Sequence, residues 1–154
     1  QNNNIIFSAT TGTSGGNGGI VKSIDQGETW TNVLSTSAAS GFIVDVEFVD
    51  DSLYFINSKG NFYVSNASSI NNNILRYNFT TAGFVDCVYS NTYKIFVAVS
   101  DNSGVYISNN KGVSWIRYTI PGVTDYRKVS IIKNKIFVAT TTGLYVSSLW
   151  IEWK

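Results

Sequence analysis

The 154 residues carry 11 Lys and Arg against 10 Asp and Glu, a net charge of +1, and charged residues make up only 14% against a usual share of about 25%. That balance excludes a nucleic-acid partner held by counterion release, which needs a basic stripe, and gives no pull toward an anionic membrane surface. With no His and with Cys87 as the one cysteine, imidazole bases, His metal ligands, intrachain disulfides and thiolate clusters are excluded, so no metal or cofactor is expected.

Read from the N-terminus, each ordered segment is short, β-branched or aromatic, and bounded by Gly, Asn, Ser or Asp, which is how strands read. Residues 5–10 give the first strand and 20–23, ending in Ser23, the second. The Gly-rich stretch 12–19 between them is a lengthened hairpin loop. It is no phosphate loop, because Val21 precedes Lys22-Ser23 and no helix follows. Residues 29–34 add a third strand. A second unit runs 42–49, 53–58, 62–65 ending in Ser65, and 74–79. A third runs 84–89, 95–100, 105–108 ending in Ser108, and 114–120. A fourth runs 126–132, 136–141, 144–147 ending in Ser147, and a truncated 150–153.

The segments that begin at Ile5, Leu53, Ile95 and Ile136 start 48, 42 and 41 residues apart, and the serines stand 42, 43 and 39 apart. No stretch keeps a helical apolar spacing over three turns, and none approaches the roughly 18 apolar residues that span a bilayer. The chain is therefore all-β. Four-strand units repeating at about 40–45 residues are the blades of a β-propeller. With strands labelled a to d outward from the axis, the order is b-c-d followed by three sets of a-b-c-d. The blades fall at about 5–41, 42–82, 83–124 and 125–154. The first lacks strand a unless residues 1–4 supply a stub, and the last d strand is clipped. Such a fan closes as a four-bladed ring, belongs to a larger ring, or completes one with a second copy.

Between strands c and d the first unit reads Ser23-Ile24-Asp25-Gln26-Gly27-Glu28-Thr29-Trp30, and the third reads Ser108-Asn109-Asn110-Lys111-Gly112-Val113-Ser114-Trp115. Both fit S-x-[D/N]-x-G-x-x-W, which resembles the Asp-box of the BNR repeats found in sialidases, sortilin-type receptors, some glucanases and photosystem assembly factors. Locally, Asp25 or Asn110 is expected to accept a backbone N–H two residues on, as an Asx-turn. Gly27 and Gly112 supply positive φ, and Trp30 and Trp115 bury apolar area. The second unit has neither the Gly nor the Trp, so Leu75 or Tyr77 is expected in the packing slot. The fourth keeps Ser147 with Trp150 and Trp153, a degraded box. In the families it resembles, the box is structural and peripheral.

The resemblance invites a sialidase reading, which the residues oppose. Sialidases use three arginines for the substrate carboxylate, a Tyr–Glu nucleophile pair and an Asp acid. Here Arg76 and Arg117 fall on the outermost strands, and Glu28, Glu47 and Glu152 are not presented as a set. The carboxylate pair that other glycosidases need has one candidate: Asp45 and Asp86, at matching places on inner strands, with Arg127 or Lys128 at about that place in the next unit. These side chains either converge at the channel mouth as a polar ligand or acid–base site, or form an inter-blade salt-bridge and capping network. Cys87 reads as a small buried hydrophobe, and Tyr63, Tyr106 and Tyr145, one per unit, as packing residues.

Polarity is carried by 17 Asn, 19 Ser and 14 Thr, which fits an extracellular, cell-surface or virion-associated protein. Position 1 is Gln, as in a processed chain or a fragment, and Asn66-Ala67-Ser68 and Asn78-Phe79-Thr80 match the glycosylation acceptor pattern. The expected function is a non-catalytic binding module for a protein or glycan partner, with self-association or further blades, no nucleic acid and no membrane insertion. The alternatives are a portion of a BNR-type glycoside hydrolase with its catalytic residues largely outside this chain, or a purely structural segment.

Overall fold

A computed structural model describes residues 5–10, 18–37, 40–79 and 83–148. These hold fourteen strands and no helix, so none of the described residues form a helix long and apolar enough to cross a membrane. The strands are β1 (Ile6–Thr10), β2 (Gly18–Ser23), β3 (Thr31–Thr36), β4 (Ile43–Val49), β5 (Ser52–Asn57), β6 (Asn61–Asn66) and β7 (Ile74–Asn78). They continue as β8 (Phe84–Ser90), β9 (Ile95–Ser100), β10 (Gly104–Ser108), β11 (Ile116–Tyr118), β12 (Tyr126–Ile132), β13 (Lys135–Thr140) and β14 (Gly143–Ser148). They make four antiparallel meanders in chain order: β1-β2-β3, β4-β5-β6-β7, β8-β9-β10-β11 and β12-β13-β14. The sheets pack in succession, β1 beside β4, β4 beside β8 and β8 beside β12. This is a partial β-propeller of four-stranded blades, three-stranded at either end among the described residues.

Sequence and structure differ in detail. Strand β3 starts two residues later than expected, and β11 covers only three residues of the expected seven. The clipped strand at 150–153, the stub at 1–4 and most of the Gly-rich loop lie outside the described residues. The second strands of the sheets also align differently. The serine at or next to the end of β2, β6, β10 and β14 faces a fixed partner: Ser23 faces Ile6, Ser65 faces Leu53, Ser108 faces Phe96 and Ser147 faces Ile136. The equivalent residues are therefore Ile6, Leu53, Phe96 and Ile136, one position later than the repeat suggested in the first and third units.

That register decides which side chains meet, because a slip of one residue exchanges the two faces of a strand. Tyr54 and Ile56 of the second sheet face Phe96 and Ala98 of the third in one cluster. Val97 and Val99 face Ile136 and Val138 of the fourth in another. Phe55 meets Ile20 and Ile43, with Phe7 and Ala9 against them, between the first and second sheets. The middle sheets are thus buried on both sides, and β5 and β9 are almost wholly apolar and enclosed. Aromatic rings supply much of the second interface: Phe62 and Phe96 stand 5.2 Å apart, and Phe79, Phe84 and Tyr106 form a trio at 4.5–5.3 Å. Offset and edge-on contacts of this kind add to the burial itself. The β4–β5 hairpin turns on Asp50 and Asp51, both at positive φ, which suits a two-residue turn matched to the strand twist.

Candidate functional site

The inner strands β4, β8 and β12 each carry one bulge near the start, between Ile43 and Asp45, Phe84 and Asp86, and Tyr126 and Lys128. Past the bulge, Asp45 and Asp86 reach toward the next sheet, while Lys128 reaches back to the preceding one. The Asp45 carboxylate accepts its neighbour Val46 N–H at 2.9 Å and, across the blade boundary, Cys87 N–H at 3.1 Å. Asp86 repeats the contact one blade on, accepting Val129 N–H at 2.8 Å and the Lys128 ammonium at 2.8 Å. Glu47, two residues past Asp45 and so on the same face, accepts Tyr89 N–H at 3.1 Å. Neighbouring inner strands are not paired in one sheet, so their facing N–H groups need partners. The three carboxylates supply them.

Burial governs the electrostatics of this ladder. It pushes Glu47 up to about 7, with the charges of Asp45 and Asp86 adding and the Tyr89 N–H opposing. It raises Asp45 as well, against the hydrogen bonds from Val46 and Cys87. The Cys87 thiol is held well above its ordinary range, chiefly by burial, which makes it inert as a nucleophile. The hydrogen bond to Asp86 raises Lys128.

Arg127 does not join the two aspartates. Its guanidinium is exposed and pairs with Asp125 at 2.6 Å and Asp101 at 3.8 Å, while the bulge delivers Lys128 to Asp86. Glu47, set aside in the sequence, belongs to the ladder. The signal for it was its same-face spacing from Asp45. Among the described residues no group of three or more Cys, Asp and Glu is placed to hold a metal ion.

The peripheral turns between β2 and β3 and between β10 and β11 are built alike. Ser23 Oγ donates to Asp25 Oδ1 at 2.7 Å and accepts Gly27 N–H at 2.8 Å, and Asp25 accepts Thr29 N–H at 2.9 Å. The Thr29 hydroxyl also bonds Asp25, and these bonds hold its carboxyl down at about 2. Ser108, Asn110, Gly112 and Ser114 repeat the arrangement at 2.8–3.0 Å. The Asx-turn expectation is corrected: the accepted N–H lies four residues on, because Ser23 and Ser108 occupy the nearer amides.

Gly27 and Gly112 have φ of 96° and 81°, and each Trp indole N–H closes its turn on the glycine carbonyl, at 3.0 Å from Trp30 and 3.3 Å from Trp115. The two indoles differ in burial. Trp115 packs on Phe62 and Phe79, whereas Trp30 is 45% exposed. Trp115 lies on the preceding sheet, and the first sheet has no predecessor among the described residues. In the second sheet the buried residue of the turn is Ile70. Leu75 is exposed and Tyr77 packs toward the third sheet. In that same turn the exposed Asn66 accepts Ser68 N–H at 2.8 Å and its hydroxyl at 2.6 Å.

No family model and no curated protein matches the chain in sequence. Its fold recurs widely among solved structures. It superposes on a GH74 enzyme from Niastella koreensis with a TM-score of 0.76 at 14% identity, covering 98% of this chain and 28% of that one. It superposes on the YCF48 protein bound to a D1 peptide with a TM-score of 0.65 at 13% identity, covering 95% and 50%. A chain of a nidogen/laminin complex gives 0.73 at 10% identity, covering 97% and 59%. The likeness is one of fold. The chain spans less than two thirds of each of these proteins.

Proposed function

We propose that the chain is a β-propeller interaction module, in one domain of four blades at about 5–41, 42–82, 83–124 and 125–154, that binds a protein or glycan partner. We read its Ser-x-Asp/Asn turns, Ser23-Asp25-Gly27-Trp30 and Ser108-Asn110-Gly112-Trp115, as Asp-boxes of the BNR type. Its Asn- and Ser-rich polarity fits an extracellular or virion-borne setting. The observation that carries the binding reading is the commitment of Asp45, Glu47 and Asp86 to backbone N–H groups of the next blade. Hydrogen bonds of this kind tie the inner strands of successive blades together and stiffen the axis. Rigid blades then present their connecting loops. Two of the solved structures that share the fold are complexes, YCF48 bound to a D1 peptide and nidogen with laminin, although fold alone does not fix function.

A glycoside-hydrolase portion is the second reading, favoured by the fit to the GH74 enzyme over 98% of this chain. A panel of sialosides and β-glucans separates the two when both retention and hydrolysis are scored. Retention without turnover, unchanged by Asp45→Asn in a folded variant, supports the binding module. Turnover abolished by Asp45→Asn overturns it.

A further inference from the structure

The two acceptor patterns Asn66-Ala67-Ser68 and Asn78-Phe79-Thr80 both fall in the second unit, and the fold treats them differently. In all four sheets the residue after the inward serine is exposed: Ile24, Asn66, Asn109 and Ser148 follow the buried Ser23, Ser65, Ser108 and Ser147. Of these four, Asn66 alone begins an acceptor pattern.

The Asn66 carboxamide is held in one orientation. Its Oδ1 accepts the Ser68 N–H at 2.8 Å and the Ser68 hydroxyl at 2.6 Å. A backbone N–H can only donate, so it fixes which end of the amide is the oxygen. Nδ2 is left with both hydrogens free of any described residue. Ala67 and Ser68 lie in a turn outside the buried clusters.

The second pattern is engaged. Asn78 ends β7, and its Nδ2 donates to Asn61 Oδ1 across the sheet at 2.5 Å. Phe79 follows, buried, with its N–H on the Gly60 carbonyl and its ring against Phe84, Tyr106 and Trp115. Drawing this segment into an enzyme would open the interface between the second and third sheets.

A bulky polar group at Asn66 would also have something to cover. Asn66 lies on the same face as Val64, which pairs with Ile74 on β7, the edge of the sheet. Ile74 is 65% exposed, and an apolar edge of this kind invites pairing with another chain.

We propose that Asn66 is the acceptor of an N-linked glycan and that Asn78 stays bare. The inference rests on the exported setting proposed above. The co-reactant is an oligosaccharide held through its reducing sugar on a lipid diphosphate, presented by a transferase of the export route. Nδ2 of Asn66 bonds to the anomeric carbon and gives up one proton. The bond from that carbon to the phosphate oxygen breaks, and the diphosphate leaves with the electron pair. The product is a hydrophilic branch beside the β7 edge.

The full chain, fused to a cleavable export signal, is expressed in a eukaryotic secretory host. The mass of the secreted protein is read before and after peptide N-glycosidase in heavy-oxygen water. One glycan is expected, and the enzyme should leave an isotope-marked aspartate at position 66 and none at position 78. Asn66→Gln and Ser68→Ala should each lose the glycan, while Ser68→Thr and Asn78→Gln should keep it, with thermal melting of every secreted variant showing that it has folded. A secreted wild-type chain with no glycan, or with one on Asn78, overturns the assignment. The chain isolated from its native source should carry the same modification. Asn66 modified in the secretory host but bare in the native protein would overturn the exported setting instead of the acceptor geometry.

Discussion

Glu47 keeps the hydrogen bond from Tyr89 N–H although burial moves its carboxyl far from its solution chemistry. Burial raises it from 4.5 to about 7 and raises Asp45 in the same direction. A carboxyl whose pKa is raised by folding holds its proton more tightly in the folded state. Stability is therefore greatest on the acid side of the window and is lost as pH rises from about 4.5 through about 7. The bound for Glu47 is about 3 kcal/mol, and about 1–2 kcal/mol once solvent on its partly exposed side is allowed for. Melting temperature should fall between about pH 5 and pH 8. Glu47→Gln keeps an acceptor for Tyr89 N–H while removing the titration, so it should flatten most of that slope and leave the part due to Asp45. A slope unchanged in Glu47→Gln sinks this account. Asp25 acts with the opposite sign, because its carboxyl is held at about 2, and its contribution is lost only as pH falls through roughly 4 to 2. At the turns, Ser108 is enclosed and accepts the Gly112 N–H. Ser108→Ala leaves that donor without its partner and should cost about 1–3 kcal/mol, read as a lower urea midpoint at unchanged slope.

Strands and turns show where the sequence could be read and where it could not. Existence and order of the strands were legible, because short β-branched runs alternate with Gly- and Asn-bearing turns and each third strand ends in Ser. The alignment of the second strands was not. Leu53-Tyr54-Phe55-Ile56 and Phe96-Val97-Ala98-Val99 are buried on both faces, so no polar alternation marks which residue points where. The pairing of Ser65 with Leu53 and Ser108 with Phe96 fixed it. Asp45 and Asp86 stood out as inner-strand carboxylates, but their partners are backbone amides, which leave no trace in residue types. Arg127 and Lys128 could not be told apart because the bulge that advances Lys128 is a backbone feature. Glycines allow a sharper test at this scale. Gly112 and Gly122 share positive φ, 81° and 78°, but a Cβ at Gly112 meets the Phe62 ring while one at Gly122 meets nothing within 4 Å. Gly122→Ala should cost about 1 kcal/mol of backbone strain. Gly112→Ala adds overpacking and should cost about 2–4 kcal/mol. Equal losses in chemical denaturation would show that the turn does not rest on Phe62.

At the scale of the whole molecule, each sheet uses one face toward its predecessor and one toward its successor, and two such faces have no partner sheet among the described residues. The successor-facing side of the fourth sheet carries Phe137, Ala139, Leu144 and Val146, paired across β13 and β14, with Leu144 64% exposed. These stand where Tyr54, Ile56, Phe62 and Val64 form the second interface. The predecessor-facing side of the first sheet carries Ile6, Ser8 and Val21, with Ile6 41% exposed. One face is a large apolar surface and the other a shallower surface of the kind it covers elsewhere in the chain. Contiguous exposed apolar area on a sheet drives association, and contact of one face with the other is head-to-tail, giving a ring if the rotation closes and a filament if it does not. The 154-residue chain should therefore show a light-scattering mass that rises above 16.9 kDa with concentration. Leu144→Lys with Val146→Lys places two cations on the open face without touching the three internal interfaces. It should return the mass to the monomer with little change in melting temperature. A wild-type chain that stays monomeric across the accessible concentration range, cooperatively folded, would mean that residues outside those described cover the face.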